Sequence, residues 1–417
     1  MKPKLIILTN IYPFGNGETF VGNELQILKE YFTVHLITDS FTDGPNRISP
    51  SEDIKVSRVP NLIWSNPDSR KKALYRCLTT PELRGELLKV LFQYKGKARP
   101  YVKSIYSSVA LGEAYYSYLI DNHLLDVDEP AIIYSFWNSY KLSPFLVRSK
   151  KKRPWKIVSR IHSRDFYHDS HPLKRQPIKS LNKRLDRLYF LSRSAFAYYC
   201  ENFRKLPANC GKIMPLGTFN TYGARKERNR RECFVIVTCS RVVRVKRLDR
   251  VVEALALIND IQIKWIHFGD GELMDETQEM VRDRIRRSDI TVEFMGDVEN
   301  ETILRFYHEN CPDCLLNVSD AEGTPVSIME ALSFGIPIIS FMSGSIPEML
   351  EGTDNILLPP ESTPEDLADA IRRAYALNDE EIGRIRNENK ELWDMRYNAD
   401  TNGRKFAQDL LELLQPV

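Results

Sequence analysis

The sequence predicts an α/β protein built as two doubly wound units, and three observations carry that prediction. Short apolar runs alternate with helical patterns in both halves of the chain, the signature of parallel sheets covered by helices. The alternation breaks at the polar, aperiodic stretch TFNTYGARKERNRRE, residues 218–232, and then restarts. The 417 residues also exceed what one core usually organises.

In the first half, KLIILTN runs into the turn YPFGNG, a helical pattern from Thr19 to Tyr31, and TVHLIT. AIIYSF, KIVSRI and LYFLS are further strand candidates, with helical stretches between them. From Asn66 to Ile120 a long, basic and mostly helical segment interrupts the pattern. Past the linker come CFVIVTCS, a helix from Leu248 to Ile258, IQIKWIHFGDG, a helix from Glu272 to Arg287, ITVEFMG and CLLNVS. Sequence from Pro364 onward is largely helical. The expected division is a first domain at 1–217, a linker at 218–232, a second domain at 233–395, and a closing helix at 396–417 that packs back on the first. Two such units make a two-lobed molecule with a cleft. Open α/β sheets bind ligands beyond the carboxyl ends of their strands, so the loops that follow strands are the candidates.

Composition narrows the function classes. Hydrophobic content of 42% and charged content of 28% describe a soluble globular protein. The opening MKPKLIILTN offers only Leu5 to Leu8 as an apolar run, too short for a signal-peptide core, and no later run approaches a membrane span. A cytoplasmic location is expected. The seven irregularly spaced cysteines suit a reducing compartment. Cys311 and Cys314 form a CxxC without the second pair that zinc would want, and Cys314 opens an apolar run, so buried thiols are expected there rather than a redox centre. Charge is divided sharply: residues 1–231 hold 40 Lys and Arg against 20 Asp and Glu, and residues 232–417 hold 19 against 36. The halves are therefore expected to face different partners.

The densest passage is SDAEGTPVSIMEALSFGIPIIS, residues 319–340. Thr324 and Pro325 suit the N-cap and first helical positions, and Val326, Ile328, Met329 and Leu332 supply a buried face. Gly335 suits the position after the helix, with Pro337 opening the next strand. Glu322 then stands just before the helix and Glu330 about one turn inside it. A helix N-terminus behind a glycine offers free N–H groups to a phosphate. One carboxylate beside it can accept from sugar hydroxyls and the other from a ribose, which fits a nucleotide sugar. The competing reading is an ordinary helix with an incidental Glu. CSRVVRVKRLD shifts the balance, because it sets Arg241 and Lys246 after a buried strand, where two cations can neutralise a departing diphosphate.

With these motifs together, EGTPVSIMEALSFGIPII resembles the E-x7-E signature of the retaining glycosyltransferase family 4, which has the GT-B fold, and SRVVRVKRLD resembles its diphosphate loop. HFGDGE, FMGDVEN and GSIPEML fall at the family's intervals, YPFGNGETFVGNEL looks like its first glycine loop, and RIHSRDF like its histidine motif. The match is specific over residues 233–360 and looser before them, and bacterial capsule, exopolysaccharide and lipopolysaccharide enzymes are the nearest in kind. The resemblance implies two Rossmann-like domains facing across a donor and acceptor cleft. Glu322 would touch donor-sugar hydroxyls and Glu330 the ribose. Arg241 and Lys246 would hold the diphosphate with the backbone of Gly323, Thr324, Pro325, Val326 and Ser327. Gly269, Gly271 and Val298 would line the donor site, Gly15 and Gly17 would approach phosphates or acceptor, and His162 would lie near the reacting sugar. Two departures stand out: Gly-Asn-Gly in the first loop, and Ser343 to Ser345 (SGS) in place of a Gly-Gly pair.

The function so implied is transfer of a sugar from a UDP- or GDP-sugar to a glycan or lipid-linked glycan, with no cofactor and no nucleic-acid partner. Asp126 to Asp128 (DVD) match a metal-binding DxD, but that motif follows a strand whereas this one precedes AIIYSF. With Arg241 and Lys246 compensating charge, no metal is expected. A nucleotide-sugar epimerase on the same fold and a non-catalytic GT-B partner subunit are the alternatives. The first is disfavoured by the large N-terminal insertion, the second by retention of both acids and both cations. Between Asn66 and Ile105, ten Lys and Arg face three acids and are interleaved with Tyr75, Leu87, Leu88, Leu91, Phe92 and Tyr94. This segment reads either as a peripheral contact with an anionic membrane or as a helix pair with a solvated basic face.

Overall fold

The computed structural model describes residues 2–14, 18, 20–38, 52–59, 67–125, 129–148, 155–162, 181–203, 206–223 and 233–415. The chain divides into two units, one of Met1–Leu216 with Asp400–Val417 and one of Gly217–Ala399.

The first unit is a parallel sheet of β1 (Lys4–Leu8), β2 (Thr33–Thr38), β3 (Lys55–Arg58), β4 (Ala131–Ser135), β5 (Trp155–Ile161), β6 (Arg187–Phe190) and β7 (Gly211–Ile213), in the order β3-β2-β1-β4-β5-β6-β7. Leu5 of β1 lies beside both Val34 and Ile132, so the most apolar strand sits centrally. Its residues Leu5 to Leu8 are buried, as strands covered on both faces require. Leu5 and Ile7 pack with α1 (Val21–Tyr31) and with Phe406, Ala407 and Leu410 of the last helix, Ala399–Leu414. Ile6 and Leu8 pack on the opposite face, which is covered by α2 (Pro67–Thr79), α3 (Pro81–Tyr94), α4 (Arg99–Asp121), α5 (Ser143–Arg148) and α6 (Arg193–Asn202).

Buried carboxylates bind these layers together. Glu113 of α4 is fully buried between Arg76 of α2 at 2.8 Å and Arg148 of α5 at 2.7 Å. Glu24 of α1 pairs with the buried Arg160 of β5. Asp409 of the last helix accepts from the Tyr189 hydroxyl at 2.7 Å and pairs with Lys212.

The second unit repeats the plan with β8 (Phe234–Cys239), β9 (Ile263–Phe268), β10 (Ile290–Phe294), β11 (Cys314–Asn317), β12 (Ile338–Phe341) and β13 (Ile356–Leu358), all parallel, in the order β10-β9-β8-β11-β12-β13. Its helices are α7 (Leu248–Ala256), α8 (Met274–Arg284), α9 (Asn300–Asn310), α10 (Val326–Ser333), α11 (Ile346–Met349), α12 (Pro364–Ala376) and α13 (Asp379–Arg396); the last helix of the chain is α14. Capping boxes at Thr363 and Asn378 start α12 and α13. Thr218 bridges to Asn398 and accepts from the Trp393 indole at 2.9 Å, which fastens the start of this unit to its end. Cys311 and Cys314 are buried free thiols. Among the described residues no helix is long and apolar enough to cross a membrane.

Strand order reverses between β1 and β4 in the first unit and between β8 and β11 in the second. Removing one partner of a buried ion pair costs about 3–5 kcal/mol. Glu113→Ala is expected to lower the stability of the first unit by that amount, read as a fall in its urea midpoint, with amide exchange in α2 rising first. Unchanged exchange in α2 would show that the pair does not hold that helix.

Candidate active site

The crevice at a reversal point is lined by the loops that leave its two central strands. After β8 the chain passes through Ser240 and Arg241 to a 3-10 turn at Arg244–Lys246, and Arg247 takes φ 51° before α7. After β11 it runs from Val318 to Pro325. The two loops are stitched together: Asp320 N–H donates to the Val245 carbonyl at 2.9 Å, and Arg247 reaches both Asp249 and Asp320. Across this seam Lys246 Nζ donates to Glu322 Oε1 at 2.6 Å, and Asn317 Nδ2 adds a longer bond to the same oxygen at 3.3 Å. The Glu322 side chain is 8% exposed. Arg241 is exposed and has no ion-pair partner among the described residues.

Helix α10 begins one residue later than the sequence suggests. Pro325, at φ −67° and ψ 123°, is the capping residue, and Val326 is the first helical one. Thr324 therefore does not cap the helix; its hydroxyl lies 3.2 Å from that of Ser345. The reason is the SGS loop, which clamps the turn: Ser345 N–H donates to the Gly323 carbonyl at 3.2 Å, and the Ser345 hydroxyl donates to it as well. Gly344 has φ +58°, and a Cβ there would fall 1.8 Å from the Glu322 carbonyl oxygen, so no other residue fits against this turn. Gly335 ends the helix as its sequence position implies, with Gly335 N–H on Leu332 and Ile336 N–H on Ala331. Without a side-chain cap, the N–H groups at Val326 and Ser327 remain open to an anion.

Glu330 lies four residues past the start of α10, and it is only 6% exposed. Asn300 Nδ2, at the head of α9, donates to its Oε1 at 2.7 Å. Burial pushes the Glu330 carboxyl up to about 7, against the opposing pull of that hydrogen bond. Burial likewise pushes the neighbouring Cys239 thiol up to about 12, with Glu330 adding to the shift. Glu322 and Glu330 each have Oε1 held by the protein, and among the described residues no hydrogen bond reaches either Oε2. Sequence reasoning missed Asn300 and Asn317. Both are neutral amides at element ends, where Asn is common for capping and turns, so neither stands out.

Gly269 and Gly271 follow β9 and lie hard against the β8 loop. Gly269, at φ +129°, would place a Cβ 1.9 Å from the Ser240 carbonyl oxygen, and its N–H donates to Gly296 at 2.9 Å. Val298 is half-buried in the loop between β10 and α9. Arg241, Lys246, Gly269, Gly271, Val298, Glu322 to Ser327 and Glu330 are thus all in the second unit, on or after carboxyl ends of its strands.

In the first unit His162 directly follows β5. It is buried, with Nε2 3.1 Å from the Phe136 carbonyl and its ring 4.5 Å from that of Trp137. Glu18, which sequence reasoning passed over, is buried at φ +68° and accepts from the N–H groups of Ile11 at 2.8 Å and Tyr12 at 2.9 Å, and from the Trp137 indole. It fixes the turn after β1 and the tryptophan beside His162. Gly15, Gly17 and Asp126 to Asp128 lie outside the described residues. Among the described residues no three His, Cys, Asp or Glu side chains gather as a metal site.

Solved structures match over nearly the whole of both chains. Sucrose-phosphate synthase from Thermosynechococcus elongatus has a TM-score of 0.72 at 16% identity, covering 98% of this chain and 99% of its own. Anabaena HepE in complex with UDP-glucose has a TM-score of 0.66 at 15% identity, covering 98% and 99%. The fold is GT-B, two Rossmann-like units of the kind found in glycosyltransferases. Residues 233–376, within the second unit, match the family model described as "Glycosyl transferases group 1". Among curated relatives, the colanic acid biosynthesis glycosyltransferase WcaL of Escherichia coli is 32% identical over 95 residues, 23% of this chain. The amylovoran biosynthesis glycosyltransferase AmsK of Erwinia amylovora is 28% identical over 148 residues, 33% of this chain. The matched stretches span 23% and 35% of those relatives' own lengths.

The raised Glu330 carboxyl makes a stability prediction. Its ordinary value is 4.5, so between there and about 7 the folded chain holds a proton that the unfolded chain has released, and stability falls as pH rises. Above about pH 7 the buried charge costs about 3 kcal/mol. Glu330→Gln is expected to stabilise the second unit by about that much near pH 8 and to be neutral below about pH 4.5. Urea unfolding at the two pH values is the check, and an equal effect at both would contradict it.

Proposed function

We propose that this chain is a retaining glycosyltransferase of cell-surface polysaccharide synthesis, moving a sugar from a nucleotide diphosphate sugar to a glycan or lipid-linked glycan. The observation that carries the reading is the Lys246–Glu322 pair set before the uncapped N-terminus of α10, with Glu330 buried behind it. The matched relatives are named for colanic acid and amylovoran biosynthesis, and one structural neighbour is described with UDP-glucose, which supports the same class.

In this reading the donor's diphosphate lies against Arg241, Lys246 and the N–H groups at Val326 and Ser327. Glu322 keeps Oε1 on Lys246 and offers its other oxygen to sugar hydroxyls. Glu330 keeps Oε1 on Asn300 and offers its other oxygen to the ribose. Gly269, Gly271 and Val298 line the nucleotide. His162 contacts the reacting sugar, and Gly15 and Gly17 the phosphates or acceptor, as the family resemblance implies. The bond from the anomeric carbon to the diphosphate oxygen breaks through an oxocarbenium-like state. The acceptor oxygen bonds to the same face of that carbon, and its proton passes to the departing phosphate. Arg241 and Lys246 compensate the charge that develops there, so the reading includes no divalent ion. The enzyme would work in the cytoplasm, at the inner face of the membrane.

Losing one charge-stabilising contact costs about 2.7–4 kcal/mol of transition-state stabilisation, or about 10²–10³ in turnover. Arg241→Ala and Lys246→Ala are each expected to show that loss with the fold retained. The assay is release of nucleoside diphosphate from a panel of UDP- and GDP-sugars, with and without acceptor. Near-normal turnover in both variants at saturating donor would sink the assignment.

Glu330→Gln is expected to weaken binding of the bare nucleoside diphosphate more than Glu322→Gln does, because only Glu330 is assigned to the ribose. Calorimetry decides, and equal losses would reverse the assignment of the two acids along the donor.

A further inference from the structure

Helices α2 and α3 carry more apolar surface than their packing uses. α2 turns Ser69, Ala73 and Cys77 inward, and α3 turns Leu83, Glu86 and Val90 inward. One such face suffices for a helix that lies on a single core. Yet Leu74, Tyr75 and Leu78 on α2 are 53%, 64% and 61% exposed, and Leu88, Leu91 and Phe92 on α3 are 48%, 50% and 79% exposed. Six of the fifteen exposed large hydrophobic side chains among the described residues thus fall on two adjoining helices, which is concentration rather than ordinary scatter.

The charge on these helices is as one-sided as the apolar surface. Lys71, Arg84, Lys95, Lys97 and Arg99 are exposed on or just beyond them. The acids that could offset them are occupied: Glu86 is buried, Glu82 is taken by Arg184, and Asp68 pairs with Lys72 at 2.7 Å. The Arg76–Glu113 pair holds α2 onto α4, so this surface is presented on a fixed mount.

We propose that α2 and α3 form a docking surface for an anionic lipid bilayer, with the cations on headgroup phosphates and the exposed leucines and Phe92 entering the acyl boundary. A nucleic acid or another polyanion would use the cations but give the leucines no apolar partner, which is why the bilayer is the occupant assigned. The inference does not rest on the transferase reading. It deepens that reading by giving a lipid-linked acceptor a surface on which to meet the first unit.

The test is flotation of the full chain with vesicles of mixed phosphatidylglycerol and phosphatidylcholine, against vesicles of phosphatidylcholine alone, at low and high salt. The wild-type chain should float only with the anionic vesicles and be released by salt. Each cation near the surface is worth roughly fivefold in partitioning. Lys71→Glu with Arg84→Glu and Lys95→Glu should therefore abolish flotation. Leu78→Ser with Phe92→Ser, both surface changes, should lower vesicle binding about tenfold while leaving retention on heparin unchanged. Wild-type protein that stays with the soluble fraction at low salt would overturn the proposal. So would full vesicle binding by the Leu78, Phe92 variant, which would make the surface a polyanion site. Nucleoside diphosphate binding by the same variants should match wild type, so failure of the donor assignment is read separately.

Discussion

Everything assigned to the second unit depends on one topological constraint, the reversal of strand order between β8 and β11. Crossovers leaving that central pair go to opposite faces of the sheet, so no helix covers the backbone just beyond its carboxyl ends. The loops after β8 and β11 line that space, with those after β9 and β12 set against them, and their backbones approach closely. Asp320 bonded to Val245 is the direct sign of that approach. Gly269 against Ser240 and Gly344 against Glu322 are its steric consequence, since a side chain at either place would collide with backbone. The loops crowd together where the sheet reverses, and glycines stand where backbone meets backbone.

Within that space the electrostatics are arranged at a cost in stability. Glu322 is relieved by Lys246, a short bond across the seam. Among the described residues Glu330 is hydrogen-bonded by a neutral amide, and its burial raises the free energy of its charged form. A chain selected for stability alone would place a neutral residue there. Retaining an acid at such a cost is the pattern of a functional position rather than of a packing one.

Much of this was legible in the residues. Alternating runs such as CFVIVTCS and CLLNVS gave the strands, because parallel strands buried on both faces read as continuous apolar stretches. Gly335 was readable as a helix end, and the spacing of Glu322 and Glu330 around a helix start was readable from Pro325 and the apolar positions after it. What escaped is what depends on contacts between distant segments. The Thr324 hydroxyl is drawn off by Ser345, twenty-one positions away, so a local cap rule misplaced it. Asn300 serves Glu330 from another helix, and Glu18 serves the turn after β1 from a loop. No periodicity records such partnerships. The exposed faces of α2 and α3 show the same limit, since composition is read residue by residue but which leucines the core leaves uncovered is set by packing.

The division of the chain at 216/217 and 399/400 has a consequence for synthesis. The second unit is one uninterrupted stretch, whereas the first is completed only by α14, whose Phe406 packs on Tyr134 and Tyr189 and whose Asp409 satisfies Tyr189 and Lys212. As the polypeptide leaves the ribosome, the unit encoded second has all of its residues while the unit encoded first still lacks a wall of its core. Until α14 is made, α1 covers its sheet face without the Phe406, Ala407 and Leu410 that complete that cluster. Completion of the two cores thus runs against the order of synthesis: the unit encoded second can close before the unit encoded first.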